Sequence, residues 1–110
     1  MSLRFRPEAL IVSTKSFAAG TDAVVAAVAG QRIAVYRCIL MGVAASTFQF
    51  NDSVTGVLSA QYSLAVGGFF ILDTPINNDP WWITAAGSAL QIIVGGTGPV
   101  AADIWYGQGQ

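Results

Sequence analysis

The apolar stretches of this chain are short, and each is cut by Gly, Asn, Asp or Pro. That punctuation leaves little room for long helices and is the pattern of strands joined by turns. The clearest case is residues 57–64, where Leu58, Ala60, Tyr62 and Leu64 alternate with Ser59, Gln61 and Ser63. A period of two buries one face of a strand and wets the other. Residues 46–51 repeat the pattern, with Phe48 and Phe50 on one side and Thr47, Gln49 and Asn51 on the other. Asn51-Asp52-Ser53 then reads as a turn, although the triplet also matches a glycosylation sequon.

Further strands are expected at residues 9–14, 32–41, 69–72, 81–85, 89–94 and 100–106. Residues 22–29 are ambiguous: they are Ala-rich enough for a short helix, while Val24, Val25 and Val28 favour a strand. About eight strands in 110 residues predict an all-β fold, an antiparallel β-sandwich of jelly-roll-like form. The expected organisation is one domain, with an N-terminal arm and first strand in residues 1–22 and the sandwich in residues 23–110. No internal repeat is apparent.

Residues 32–41 are apolar on both faces, with Ile33, Val35 and Ile39 on one and Ala34, Tyr36, Cys38 and Leu40 on the other. Such a strand is central in a sandwich or covered on its second face by a partner. Only 10% of the residues are charged, against about 25% in average soluble proteins, and 54% are hydrophobic. A chain of this length buries roughly two-thirds of its extended surface. It therefore carries more apolar surface than a monomer hides, and sister copies are the expected shelter, closed by cyclic symmetry. The same composition argues against a disordered tail, a coiled coil or a basic nucleic-acid binder.

Little in the chain points to catalysis. It has no His, hence no imidazole-based triad and no His-ligated metal. Its one cysteine, Cys38, lies in an apolar run and reads as a buried, inert thiol. Gly95-Gly96-Thr97-Gly98 is followed by Pro99-Val100 rather than the Lys-Ser/Thr of a phosphate cradle, and reads as a glycine hairpin. Asp73, Asn77, Asn78 and Asp79 offer oxygen ligands of the kind calcium takes, but their Pro-containing context is ordinary turn chemistry. No catalytic residue, cofactor or metal is expected. The apolar stretch at residues 9–12 is too short for a signal-peptide core. Residues 80–102 carry no charge, yet Gly87, Gly95, Gly96, Gly98 and Pro99 break them, so no spanning helix and no membrane partner are expected.

Charge and aromatics carry the remaining signals. All five basic residues (Arg4, Arg6, Lys15, Arg32 and Arg37) precede position 38, whereas Asp52, Asp73, Asp79 and Asp103 follow it. An N-terminal segment with Arg4, Phe5 and Arg6 is thus a candidate to dock on an acidic neighbouring subunit. Phe69-Phe70, Trp81-Trp82 and Trp105-Tyr106 are adjacent aromatic pairs. Neighbours in a strand point to opposite faces, so each pair is expected to place one ring in the core and the other outside. Exposed aromatics favour a subunit or capsid interface, and a sugar-stacking surface is the alternative.

The step Gly67-Gly68-Phe69-Phe70-Ile71-Leu72 is followed by a Pro/Asn loop, by Pro80-Trp81-Trp82 and by Thr84-Ala85-Ala86-Gly87-Ser88-Ala89-Leu90-Gln91-Ile92. Together with the run from Ala29 to Val35, this resembles small all-β virion proteins encoded near the capsid genes of bacteriophages and prophages. The likeness covers most of residues 23–106, and the first 22 residues carry none of it. The resemblance implies a jelly-roll-like homotrimer acting as a capsid decoration (cement) protein, made in the host cytoplasm. Its partner would be the major capsid protein, and its place the outer capsid surface of the virion. The alternative is a tail-fibre or baseplate module that recognises a host-surface glycan.

Overall fold

The computed structural model describes residues 10–75, 77 and 79–109. Among them the chain is all-β, with β1 (Ile11–Phe17), β2 (Gly20–Val25), β3 (Arg32–Gly42), β4 (Ser46–Asp52), β5 (Gly56–Val57), β6 (Tyr62–Leu64), β7 (Phe69–Leu72), β8 (Trp82–Ile83), β9 (Leu90–Gly96) and β10 (Val100–Gly109). One sheet runs β1-β10-β3-β7 with β8 also on β3, and the other runs β2-β9-β4-β5 with β6 also on β4. All pairs are antiparallel; β1 with β10, β2 with β9, β3 with β7 and β8, and β4 with β5 and β6 are nested, while β3 with β10 and β4 with β9 join the nested pairs within each sheet. Successive nested pairs alternate between sheets, which is a long hairpin rolled up into a jelly roll. The fold has eight strand positions; two of them, β5/β6 and β7/β8, are interrupted, which gives ten strands.

The core lies between the sheets. Ile33, Val35, Cys38, Leu40 and Ile104 come from the first sheet, and Phe48, Phe50, Leu90, Ile92 and Val94 from the second. Aromatic rings tie the layers together at one end. Phe70 meets Phe48 at 5.2 Å and Tyr62 at 4.6 Å between centroids, and Trp82 meets Phe50 at 5.1 Å. Such pairs add about 0.5–1.5 kcal/mol each beyond their area burial.

A buried carboxylate closes the loops at one end of β4. Asp52 Oδ1 accepts the backbone N–H groups of Val54 (2.8 Å) and Thr55 (2.9 Å), and Oδ2 accepts that of Ala85 (2.8 Å). Burial pushes this carboxyl up, but the N–H groups of Thr55, Ala85 and Val54 and the Ser88 side chain outweigh it. Together they hold it well below the ordinary carboxylate range.

Several expectations need correcting. Residues 57–64 are two short strands on β4 rather than one. At Phe50 the ladder is replaced: its N–H donates to Ser59 Oγ at 2.8 Å, while its carbonyl accepts both Leu58 and Ser59 N–H. Ser59 is therefore buried and Ala60 exposed, the reverse of simple alternation. In β3 the register steps from Arg37↔Trp105 to Val35↔Tyr106. This bulge switches faces mid-strand, so Ile33, Val35, Cys38 and Leu40 all face the core and Ile39 faces out. The ambiguous residues 22–29 contribute to strand β2, and no helix occurs among the described residues. The glycine segment after β9 is not a hairpin, because β9 and β10 belong to different sheets. It is a crossing whose glycine positions have no room for a side chain: at Gly96, φ +78°, a Cβ would stand 2.8 Å from the Ala45 carbonyl oxygen.

Residues 11–25 are integral to the sandwich. Phe17 is fully buried in its core, and the boundary drawn between residues 22 and 23 falls inside β2. Arg4, Phe5 and Arg6 lie outside the described residues.

Candidate functional site: the outer face of the first sheet

The bulge in β3 decides what the first sheet shows to its surroundings. Beyond it, Arg37, Ile39 and Met41 alternate outward with Cys38, Leu40 and Gly42 inward, and the register of the neighbouring strands sets three cross-strand rows. The first is Ser16–Ala101–Met41–Phe69, and the second is Thr14–Asp103–Ile39–Ile71. In the third, Val12 lies opposite Trp105 and Trp105 opposite Arg37. Phe69 is 64% exposed and Ile71 59%. A shallow groove of about 220 Å³ crosses the first two rows between Phe69, Met41, Ile39, Asp103 and Thr14. Apolar side chains outnumber polar ones across these rows, the reverse of a sheet face built to meet water.

The third row continues as a chain of polar and aromatic contacts. The Arg37 guanidinium lies over the Trp105 ring, 4.4 Å from its centroid, and its Nε donates to Asp73 Oδ1 at 3.1 Å. The backbone carbonyl of Asp73 accepts the indole N–H of Trp81 at 2.7 Å. Trp81 is also held by its own N–H, which donates to the Val35 carbonyl at 2.8 Å. As surface contacts, the cation–π pair contributes about 0.5–1 kcal/mol and the ion pair about 0–1 kcal/mol. Their main effect is to fix two tryptophans and an arginine at one margin of the face. Beside Trp81, a groove of about 560 Å³ is lined by Asp73, Thr74, Pro75 and Asn77. There Asn77 Nδ2 donates to Asp79 Oδ2 at 3.0 Å, and Asp79 N–H donates back to Asn77 Oδ1 at 3.2 Å.

The aromatic pairs divide as the alternation of a strand requires. Phe70, Trp82 and Tyr106 pack against the core, so these three are core-packing rings rather than surface candidates. Phe69, Trp81 and Trp105 turn outward, and the fold brings them to the same side of the molecule. Ile71 and Val12 went unmarked in the sequence, although Ile71 follows Phe69 by two residues and so shares its face. Arg37 and Asp73 depend on a register that the sequence does not show.

Among the described residues, two further reactive groups lie inside the fold. Cys38 is fully buried, and burial pushes its thiol up to about 12. Asp52 is engaged by backbone N–H groups. Among the described residues, no three His, Cys, Asp or Glu side chains stand together as a metal site. No helix among them is long and apolar enough to cross a membrane.

No protein-family model matches the chain, and comparisons with curated proteins and with solved structures give no significant match.

Proposed function

We propose that this chain is a non-enzymatic structural protein of a bacteriophage virion. It is a decoration (cement) protein that assembles as a homotrimer and holds the major capsid protein at the outer capsid surface. The observation that carries this reading is the outer face of the first sheet, where Phe69, Ile71, Ile39, Met41, Val12 and Trp105 form an apolar surface on a chain with few charges. Apolar, aromatic and arginine-bearing surfaces are the usual material of durable protein interfaces. The virion setting rests on the likeness read from the sequence over most of residues 23–106, carried by residues 29–35 and 67–92. A cement works by burial rather than turnover, and among the described residues Asp52 and Cys38 are both buried inside the fold.

The test is assembly followed by attachment. Light scattering on the purified chain at micromolar concentration is expected to give about 34.5 kDa, three times the 11.5 kDa of one chain. The trimer is then expected to co-sediment with undecorated capsids from the phage that encodes it. A monodisperse monomer that leaves such capsids bare would refute the reading.

A further inference from the structure

We propose that the groove beside Trp81 is a sugar-binding site that takes a neutral pyranose, the uncharged end of a glycan. The inference goes beyond the cement reading and does not depend on it. Trp81 is 43% exposed although both of its N–H groups are tied down, one to Val35 and the other to Asp73. Those anchors hold the indole by its N–H edge and leave ring surface open beside the groove. A pyranose offers a C–H patch on one face and hydroxyls around its rim. A fixed indole matches the patch, and a few convergent polar groups match the rim.

The polar groups are in place. Asp73, Thr74 and Asn77, each with a polar side chain, line the same groove as Trp81. The Asp73 side chain is 78% exposed and uses Oδ1 for Arg37, which leaves acceptor capacity for a sugar hydroxyl. Asn77 is oriented by its reciprocal bonds with Asp79, and its amide keeps a second N–H and a second lone pair. Charge narrows the ligand class. Two carboxylates, Asp73 and Asp79, stand at this loop, with Arg37 engaged by the first. An anionic sugar such as a sialic or uronic acid is therefore disfavoured, and an uncharged ring is preferred. The groove, about 560 Å³, is in the size range of small-ligand sites and open enough to admit the end of a longer chain.

The experiment titrates the full chain with methyl β-galactoside, methyl β-glucoside, methyl α-mannoside and N-acetylneuraminic acid. The indole N–H cross-peaks are followed by nitrogen–proton correlation NMR. At least one neutral glycoside is expected to shift the Trp81 indole peak saturably with millimolar affinity, while N-acetylneuraminic acid does not. Trp81→Ala is expected to lose about tenfold or more in affinity. Asn77→Ala, which leaves the Trp81 anchors intact, is expected to weaken binding severalfold. Val57→Ala on the opposite sheet is expected to change nothing. If Trp81→Ala fails to fold, Asn77→Ala carries the test. Absence of a saturable shift with every neutral glycoside would overturn the proposal. So would an equal response to N-acetylneuraminic acid, or undiminished binding in Asn77→Ala. Because light scattering reads assembly independently, a failure here leaves the cement reading standing, and the reverse also holds.

Discussion

Removing the Asp52 carboxylate tests the closure of the loops around β4. In Asp52→Ala, three backbone N–H groups, those of Val54, Thr55 and Ala85, lose their acceptor. An unsatisfied buried donor costs about 1–3 kcal/mol. Val54 and Thr55 sit in an exposed turn where water replaces much of the loss, whereas Ala85 is half-buried. The expected destabilisation is therefore about 3 kcal/mol near neutral pH, the upper end for a single substitution. Asp52→Asn keeps one oxygen and is expected to cost about half as much. The assay is urea denaturation of both variants and the parent, repeated across pH. The folded carboxyl lies below its unfolded value of about 4. Its contribution is therefore complete above about pH 4 and is lost as pH falls toward the folded value. The gap between parent and Asp52→Asn is expected to shrink in acid. A loss below about 0.5 kcal/mol in Asp52→Ala, or a gap that stays constant down to about pH 2, would refute the reasoning.

Two further outcomes follow from packing. Cys38, fully buried with its thiol pushed up to about 12, is expected to resist a thiol reagent in the native protein and to react at once in denaturant; native-state labelling at the denatured rate would contradict its burial. Gly42→Ala is expected to cost about 2–4 kcal/mol in thermal or chemical melts. A Cβ there would stand 2.8 Å from the Ala65 carbonyl oxygen and 2.9 Å from that of Ala44, so an unchanged midpoint would show that this loop yields freely.

The alternation of Phe48 and Phe50 against Thr47, Gln49 and Asn51 was legible because β4 is a regular strand with one buried face. The aromatic pairs were legible for the same reason. Residues 57–64 misled because a side chain, Ser59, took over hydrogen bonds that strand alternation assigns to the backbone. The facing of residues 32–41 misled because one extra residue opposite the Trp105–Tyr106 step changes which side chains point inward. Both devices are settled by the partner strand, which for Ser59 is β4, nine residues back, and for the bulge is β10, far away in sequence. The same holds for the row of Trp105, Arg37, Asp73 and Trp81, whose members meet only once β10, β3 and the end of β7 are in register. The jelly-roll layout was within reach because short strands with frequent turns admit few packed arrangements. The crossing at Gly96 was not, since a glycine turn looks the same whether it joins partners or separates sheets.

In the proposed homotrimer, the outer face of the first sheet would be the surface that sister copies cover. The most direct measurement compares the mass of the parent with that of Phe69→Asp and Ile71→Asp by light scattering, with circular dichroism confirming that each variant is folded. Both side chains are mostly exposed in the single chain, so the substitutions spare its core. The account predicts about 34.5 kDa for the parent and 11.5 kDa for the folded variants. Variants that keep the parent's mass, or a parent that is itself monomeric, would contradict it.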